Sequence, residues 1–356
     1  MALSFLNRSQ PLVGLDIGSS TIKAAELRSL RDGSYELINL GIEELPPDCI
    51  VHGVITSKPP VSEAINRLFS EQSIKNMRVA TSVSGHSVIV KRISLPAQSD
   101  EDLAESIRWE AEQHIPFDIA DVNLAYQVVA ESASGANLDL LLVAVKKERI
   151  TDQTSVITMA GKNPVVVDVD AFALQNAYEI NYDPATPALM ALLDIGASIM
   201  TINILSGTDL LFTRDVGVGG HQYTDFIRKE FNLTFSQAQA LKHGQPQGGI
   251  EPWQARRVID SVTEIICLEI QKTFDFFRTT TTTGRIDRML VSGGAAHTPG
   301  LIETLERKFE IPVQKFESFR RIAHDSKRFS PSLLEERAPE LAVAVGLALR
   351  KDKESS

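Results

Sequence analysis

At 356 residues the chain can hold two domains, and its 43% hydrophobic and 23% charged content is that of a folded protein, not a disordered or membrane-embedded one. A net charge of −10 with no dense Lys/Arg run argues against nucleic-acid binding. Cys49 and Cys267, far apart and outside any CxxC or Cys/His cluster, argue against a disulfide framework or a cysteine-bound metal and fit a reducing compartment.

The start, MALSFLNRSQ, has too short an apolar stretch for a signal peptide, and no run reaches membrane-spanning length, so a cytoplasmic protein is expected. The run PLVGL then leads into Leu15-Asp16-Ile17-Gly18-Ser19-Ser20, a second run TIKAAEL, and, after Asp32-Gly33, a third, SYELINLGIEEL. Strand, turn, strand, turn, strand predicts an antiparallel meander. Apolar spacing at Val61, Ala64, Ile65 and Leu68 predicts a helix over residues 60–70. Between residues 84 and 162 the pattern is that of an inserted module. Its helix DEDLAESIRWEAEQH is capped by Ser99-Asp100, carries Leu103, Ile107 and Ala111 on one stripe, and ends at Ile115-Pro116. Two strands, LAYQVVAES and LDLLLVAV, turn at residues 134–137, and a second helix follows. Trp109, beside the apolar stripe, is expected to pack within the module. PVVVDVDAFALQNAYE reads as a strand running into a helix.

The first pattern then returns. Leu193-Asp194-Ile195-Gly196-Ala197-Ser198 follows PALMALL and is followed by IMTINIL and LLFTRDVGV. Two meanders in one chain predict duplicated domains facing each other. Helices are expected over residues 231–243 and 252–278, the threonine run 279–283 as a loop, RIDRMLVSGGAA as a strand ending in a glycine turn, and ELAVAVGLALR as a closing helix.

The chemistry sits at the strand tips. Gly18 allows a tight turn whose N–H groups can point at a phosphate, with Ser19 and Ser20 as hydroxyl donors and Lys23 as the cation. Asp16 would repel phosphate and is suited to holding water on Mg²⁺. Asp194, Gly196 and Ala197 repeat the arrangement, and two acidic turns suit a triphosphate and its metal clamped from both sides. The second loop has Ala197 and Met200 where the first is read as having Ser19 and Lys23, so the first is expected to make more phosphate contacts and Asp194 to serve mainly the metal. Gly293, Gly294 and Ala295, after the strand LVS, allow close approach of a ring or ribose. No GxxxxGK[ST] or GxGxxG is present; Gly217, Gly219 and Gly220 lack the final glycine.

Taken together, DIGSSTIK (16–23), LLDIGASIMTI (192–202) and LVSGGAAHTPGL (290–301) resemble the two phosphate motifs and the adenosine motif of the actin, heat-shock chaperone and sugar kinase superfamily. The segment IRWEAEQHIPFDI (107–119), with RISLP (92–96) before it, resembles the signature of the PilM family, the actin-like proteins of type IV pilus assembly. The resemblance implies an α/β, ribonuclease H-like, duplicated two-lobed actin-like fold with an inserted 1C subdomain as in FtsA. It places subdomain IA at 1–84, 163–190 and 335–356, 1C at 85–162, IIA at 191–222 and 285–334, and IIB at 223–284. It implies binding of ATP with Mg²⁺, metal contact by Asp16 and Asp194 through water, and Lys242 of SQAQALKHG at the base or ribose, although Gln239 stands where relatives usually have Glu. It further implies a scaffold docked on the cytoplasmic N-terminal tail of PilN, hence peripheral at the inner membrane, touching membrane only through partners, with other pilus assembly proteins and motor ATPases as further contacts and self-association open. At most weak ATPase activity is expected. The competing expectations are an FtsA-like filament former, though LALRKDKESS is no amphipathic terminus, and a small-metabolite kinase, whose base would be Asp168 or Asp170 unless these only cap the following helix.

Overall fold

The computed structural model describes residues 11–352 except 132–134, 183, 185–187 and 282–283. In chain order the first lobe opens with β1 (Val13–Ile17), β2 (Thr21–Ser29) and β3 (Tyr35–Glu44), the short hairpin β4 (Ile50–Val51) and β5 (Val54–Ile55), α1 (Lys58–Glu71) and β6 (Arg78–Val83). The insert brings β7 (Val88–Pro96), α2 (Asp100–His114), β8 (Val122–Glu131) and β9 (Asn137–Lys146); α3 (Lys147–Met159), β10 (Asn163–Val169) and α4 (Asp170–Tyr182) follow. The second lobe has β11 (Leu189–Ile195), β12 (Met200–Ser206), β13 (Asp209–Val216), α5 (Gly220–Phe231), α6 (Phe235–Lys242), α7 (Arg256–Thr280), β14 (Arg288–Ser292), α8 (Leu301–Phe309) and β15 (Val313–Lys315). The chain closes with β16 (Ile322–Ala323), α9 (Pro331–Arg337) and α10 (Ala342–Ala348).

The two large sheets have the same plan. In one the order is β10-β6-β1-β2-β3-β16, in the other β13-β12-β11-β14-β15. Each pairs an antiparallel meander with parallel strands, so Asp16 and Asp194 emerge at equivalent strand tips. Between the sheets lie α4 and α10. Leu174, Ala177, Ala344 and Val345 share one core with Leu27 and Leu37 of the first sheet and Met190, Leu192 and Leu205 of the second. Gly346 makes this possible: a Cβ there would overlap the carbonyl of Ala173, so only glycine lets α10 press on α4.

The insert has its own core. Leu103, Ile107 and Ala111 of α2 face Ile93, Leu140 and Leu142 of its three-stranded sheet, order β7-β9-β8. Ser99 caps α2 by accepting from the Asp102 N–H. The expected turn at 134–137 lies partly outside the described residues.

Several expectations are corrected. Trp109 is 65% exposed: two residues off the Leu103–Ile107–Ala111 stripe it is turned about 200° away from the core. Helix α3, assigned to the insert by the 85–162 boundary, buries Val156, Ile157 and Ala160 against Val61 and Ile65 of α1, inside the first lobe. Residues 322–323, assigned to the second lobe, pair with β3 in the first sheet. The helix expected over 231–243 is the shorter α6, 235–242: the left-handed backbone of Asn232 stops α5 at Phe231, and Thr234 and Gln237 form the capping box that starts α6. Helix α5 itself, beginning at Gly220, was not foreseen. Among the described residues no helix is long and apolar enough to cross a membrane.

Candidate functional site

The two loops form matching hairpin turns. Gly18 N–H donates to the Thr21 carbonyl at 3.0 Å, and Gly196 N–H to that of Ile199 at 2.9 Å. A cavity of about 360 Å³ opens between them, within the range of small-ligand sites. Ser19 and Ser20 line it from one lobe, Ala197, Ser198, Gly219 and His221 from the other.

The carboxylates differ in their balance. Strand pairing sets Lys23 opposite Asp16, and its Nζ lies 2.9 Å from Asp16 Oδ2. Burial works against the Lys23 charge, but Asp16, with Asp194 and Glu340 farther off, leaves its pKa above the usual lysine value. Across from Asp194 stands Thr201, not Met200. The lysine position of the first loop is therefore a threonine in the second, and Met200 is wholly buried core. Asp194 instead accepts from the Ser292 hydroxyl at 2.7 Å. Burial pushes it up to about 6, with nearby Asp16 adding to the rise while Ser292 and Lys23 oppose it.

Two more aspartates join this centre. Asp170, at the start of α4, is pushed up to about 7 by burial and the charges of Asp16 and Asp215, against the Ser82 and Ser84 hydroxyls. Asp215, at the end of β13, is raised by burial although it accepts from Thr201 Oγ1 at 2.7 Å and from the Gly85 N–H at 2.5 Å. Of the two kinase-base candidates, Asp168 is taken up by Arg350 and by the Val169 N–H. Among the described residues no three His, Cys, Asp or Glu side chains are placed to hold a metal ion directly.

The glycine-rich third element meets the second loop. Gly293 has φ of 83°, and a Cβ there would overlap the carbonyl of Ile195, so the strand tips of β11 and β14 close on each other only with glycine. Gly294 is exposed with open space around it. The Ala295 side chain is buried in the second-lobe core. Lys242 is buried and donates to the Gly220 carbonyl at 3.4 Å and Thr224 Oγ1 at 3.3 Å; burial drops its pKa to about 8. Gln239 accepts from Thr224 Oγ1 at 3.3 Å.

Sequence reasoning missed Gly219 and Gly220. The N–H of Gly220 donates to Gly196 O at 2.9 Å and that of His221 to Ala197 O at 2.8 Å, so the first turn of α5 is tied to the second loop. A Cβ on Gly219 would lie 2.5 Å from Gly196 O. The signal was the cluster Gly217-x-Gly219-Gly220, set aside because it did not complete a dinucleotide fingerprint.

A second groove, of about 410 Å³, lies where the insert meets the lobes; Val88, Ile89 and Phe117 line it from the insert and Val169, Arg214 and Asp215 from the lobes.

The family model described as type IV pilus assembly protein PilM matches residues 14–352. The solved structure described as the PilM-PilN type IV pilus biogenesis complex superposes with a TM-score of 0.86 at 27% identity, covering 96% of this chain and 99% of that one. The ethanolamine utilization protein EutJ of Carboxydothermus hydrogenoformans reaches 0.58 at 14% identity, over 96% and 92%. MreB5 of Spiroplasma citri bound to ADP reaches 0.52 at 14% identity, over 95% and 94%. These two show the fold alone, and the duplicated actin-like architecture expected from the loops is the one found.

Proposed function

The chain belongs to the type IV pilus assembly protein PilM family, and from that membership we propose that it is a nucleotide-binding actin-like scaffold of the pilus assembly complex that docks the cytoplasmic N-terminal tail of PilN. One observation carries the nucleotide part: the tips of two equivalent turns, Ser19-Ser20 and Ala197-Ser198, line one cavity from two lobes, each following its aspartate. ATP is the proposed ligand. Gly18, Ser19, Ser20 and Lys23 face its phosphates from one side and Gly196, Ala197 and the first turn of α5 from the other. Lys242, Gly293, Gly294 and the Ala295 backbone sit toward the nucleoside.

The donor set fits Mg²⁺. Three of the four clustered aspartates have raised pKa values, burial being the main cause, as buried carboxylates short of counter-charge do. Asp16 and Asp194 would reach such an ion through its water. Such an ion would screen the triphosphate from the carboxylates. Asp170 is the candidate to orient an attacking water, and only weak hydrolysis is assigned.

We assign the groove at the insert to the partner tail. Val88, Ile89, Val90, Pro116 and Phe117 give it an apolar side, with His86, Arg214 and Asp215 as polar groups, and β7 is an edge strand of the three-stranded sheet, the kind of element an extended peptide can pair with. Docking on such a tail would hold the protein at the inner membrane without a membrane segment of its own. For the subdomains we propose the expected division with two changes: 1C is confined to residues 88–146, and residues 316–334 join the first lobe.

The test is a titration of the full chain with a synthetic PilN tail peptide, with and without MgATP. Micromolar or tighter binding that changes with MgATP supports the reading. Failure of the chain to bind the peptide in either state, alongside rapid phosphoryl transfer to a metabolite, would favour the kinase.

A further inference from the structure

We propose that Arg149 reads the terminal phosphate of the nucleoside triphosphate and ties it to the base of the insert; the inference rests on the nucleotide reading of the cleft. Arg149 lies in the first turn of α3, immediately after the last strand of the insert. Its Nη1 is buried from water and has no hydrogen-bond partner. Among the described residues no carboxylate pairs with it. Burial lowers its pKa, with Asp170 and Asp152 opposing. Asp152 is already taken, at 2.7 Å, by Lys58. Asp170 belongs to the aspartate centre, in the field of Asp16.

Its place is the seam between the lobes. A Cβ on Gly53 would lie 3.5 Å from Arg149 Nη2 and 2.8 Å from Ile199 Cδ1, and one on Gly85 would lie 3.0 Å from the same Ile199 atom. Arg149, Gly53, Gly85 and Ile199 therefore meet at one point. The neighbours of two of them in sequence, His52 and Ser198, line the cavity between the loops.

Arg149 as a whole is half-buried, but a guanidinium nitrogen sealed from water with an unused N–H is costly unless an anion is supplied. The obvious phosphate cation, Lys23, is engaged by Asp16. Arg149 is then a charge held ready for an oxyanion, and its planar fork suits a phosphate. ATP has a phosphate at that end and ADP does not. The contact would separate the two nucleotides at the point where the chain leaves the insert.

The experiment measures MgATP and MgADP affinity, and apo thermal stability, for the full chain and for Arg149→Met and Arg149→Lys. Expected for Arg149→Met is a tenfold or greater loss of MgATP affinity, MgADP affinity within twofold, and a melting temperature equal to or above that of the unaltered chain; Arg149→Lys should recover part of the loss. Equal effects on ATP and ADP, no effect on either, or a lower apo melting temperature with unchanged ATP preference overturn it. So does inorganic phosphate tightening MgADP binding to the level of MgATP in the unaltered chain and the Met variant alike. An unaltered chain that binds no nucleotide sinks the cleft reading itself, and this inference with it.

Discussion

Asp16 and Asp194 occupy the same place in two similar turns, yet Asp16 is held by Lys23 at 2.9 Å while Asp194 is held by the Ser292 hydroxyl at 2.7 Å and, among the described residues, by no ion pair. The first loop carries its own counter-charge. The second does not: its lysine position is Thr201, and that side chain is spent on Asp215. A duplicated backbone has thus been given one neutralised half and one half left short of positive charge. The proposed metal ion would gain most at the second half. Charge balance, more than turn geometry, distinguishes the two.

Both loops rest on the α4–α10 joint, so the largest change should come from opening it. Gly346→Ala pushes a methyl into the Ala173 carbonyl, and we expect a loss of about 3 kcal/mol or more in urea unfolding, with nucleotide binding weakened at both loops together. Asp194→Asn should separate the loops. MgATP affinity is expected to fall by about 100-fold, roughly 2.7 kcal/mol, while the apo protein becomes more stable at pH 8. The sign follows from the direction of the shifts. Asp194 and Asp170, at about 6 and 7 in the folded chain, hold protons that the unfolded chain has released above its ordinary value of 3.8. Apo stability therefore falls as pH rises from about 4 to 7. The Asn variant should lose the Asp194 share, of the order of 3 kcal/mol, and its gain over the unaltered chain should vanish below pH 4.

Lys23→Met should act the opposite way. It leaves Asp16 buried without its partner, so the apo chain is expected to lose about 2 kcal/mol at pH 8, with MgATP affinity down about tenfold. Melting curves for the two variants at one pH should move in opposite directions; movement in the same direction would break the comparison. The smallest effect is expected for Ser292→Ala. Removing the hydroxyl raises Asp194 further, so MgATP affinity should fall a few-fold at pH 6 and little at pH 8.

The strand tips were legible in the sequence because a repeated Asp-Ile-Gly after an apolar run is local information, and the insert was legible from its own alternation and Ser99 cap. Asp170 was named only as one of two kinase-base candidates, and Asp215 and Arg149 were not legible at all. None sits in a motif, and their meaning arises only when β13 is laid beside residue 85 and α3 beside residue 53. The one-residue misreading of Met200 for Thr201 shows how strand register decides chemistry: the neighbour of a core methionine is the residue that faces the carboxylate. The two-residue β16 carries too little pattern to be assigned to a sheet, and only its pairing with β3 places it. Trp109 was misjudged because an aromatic near a stripe is not on it unless the helical angle agrees.

The central claim is that two acidic loops clamp one triphosphate by way of a metal ion. Thermal unfolding of the full chain with ATP, in Mg²⁺ and in EDTA, tests it most directly. A rise of several degrees with MgATP and almost none with metal-free ATP is expected, since four aspartates repel an unscreened triphosphate. An equal rise with and without Mg²⁺, or none in either, would contradict the clamp.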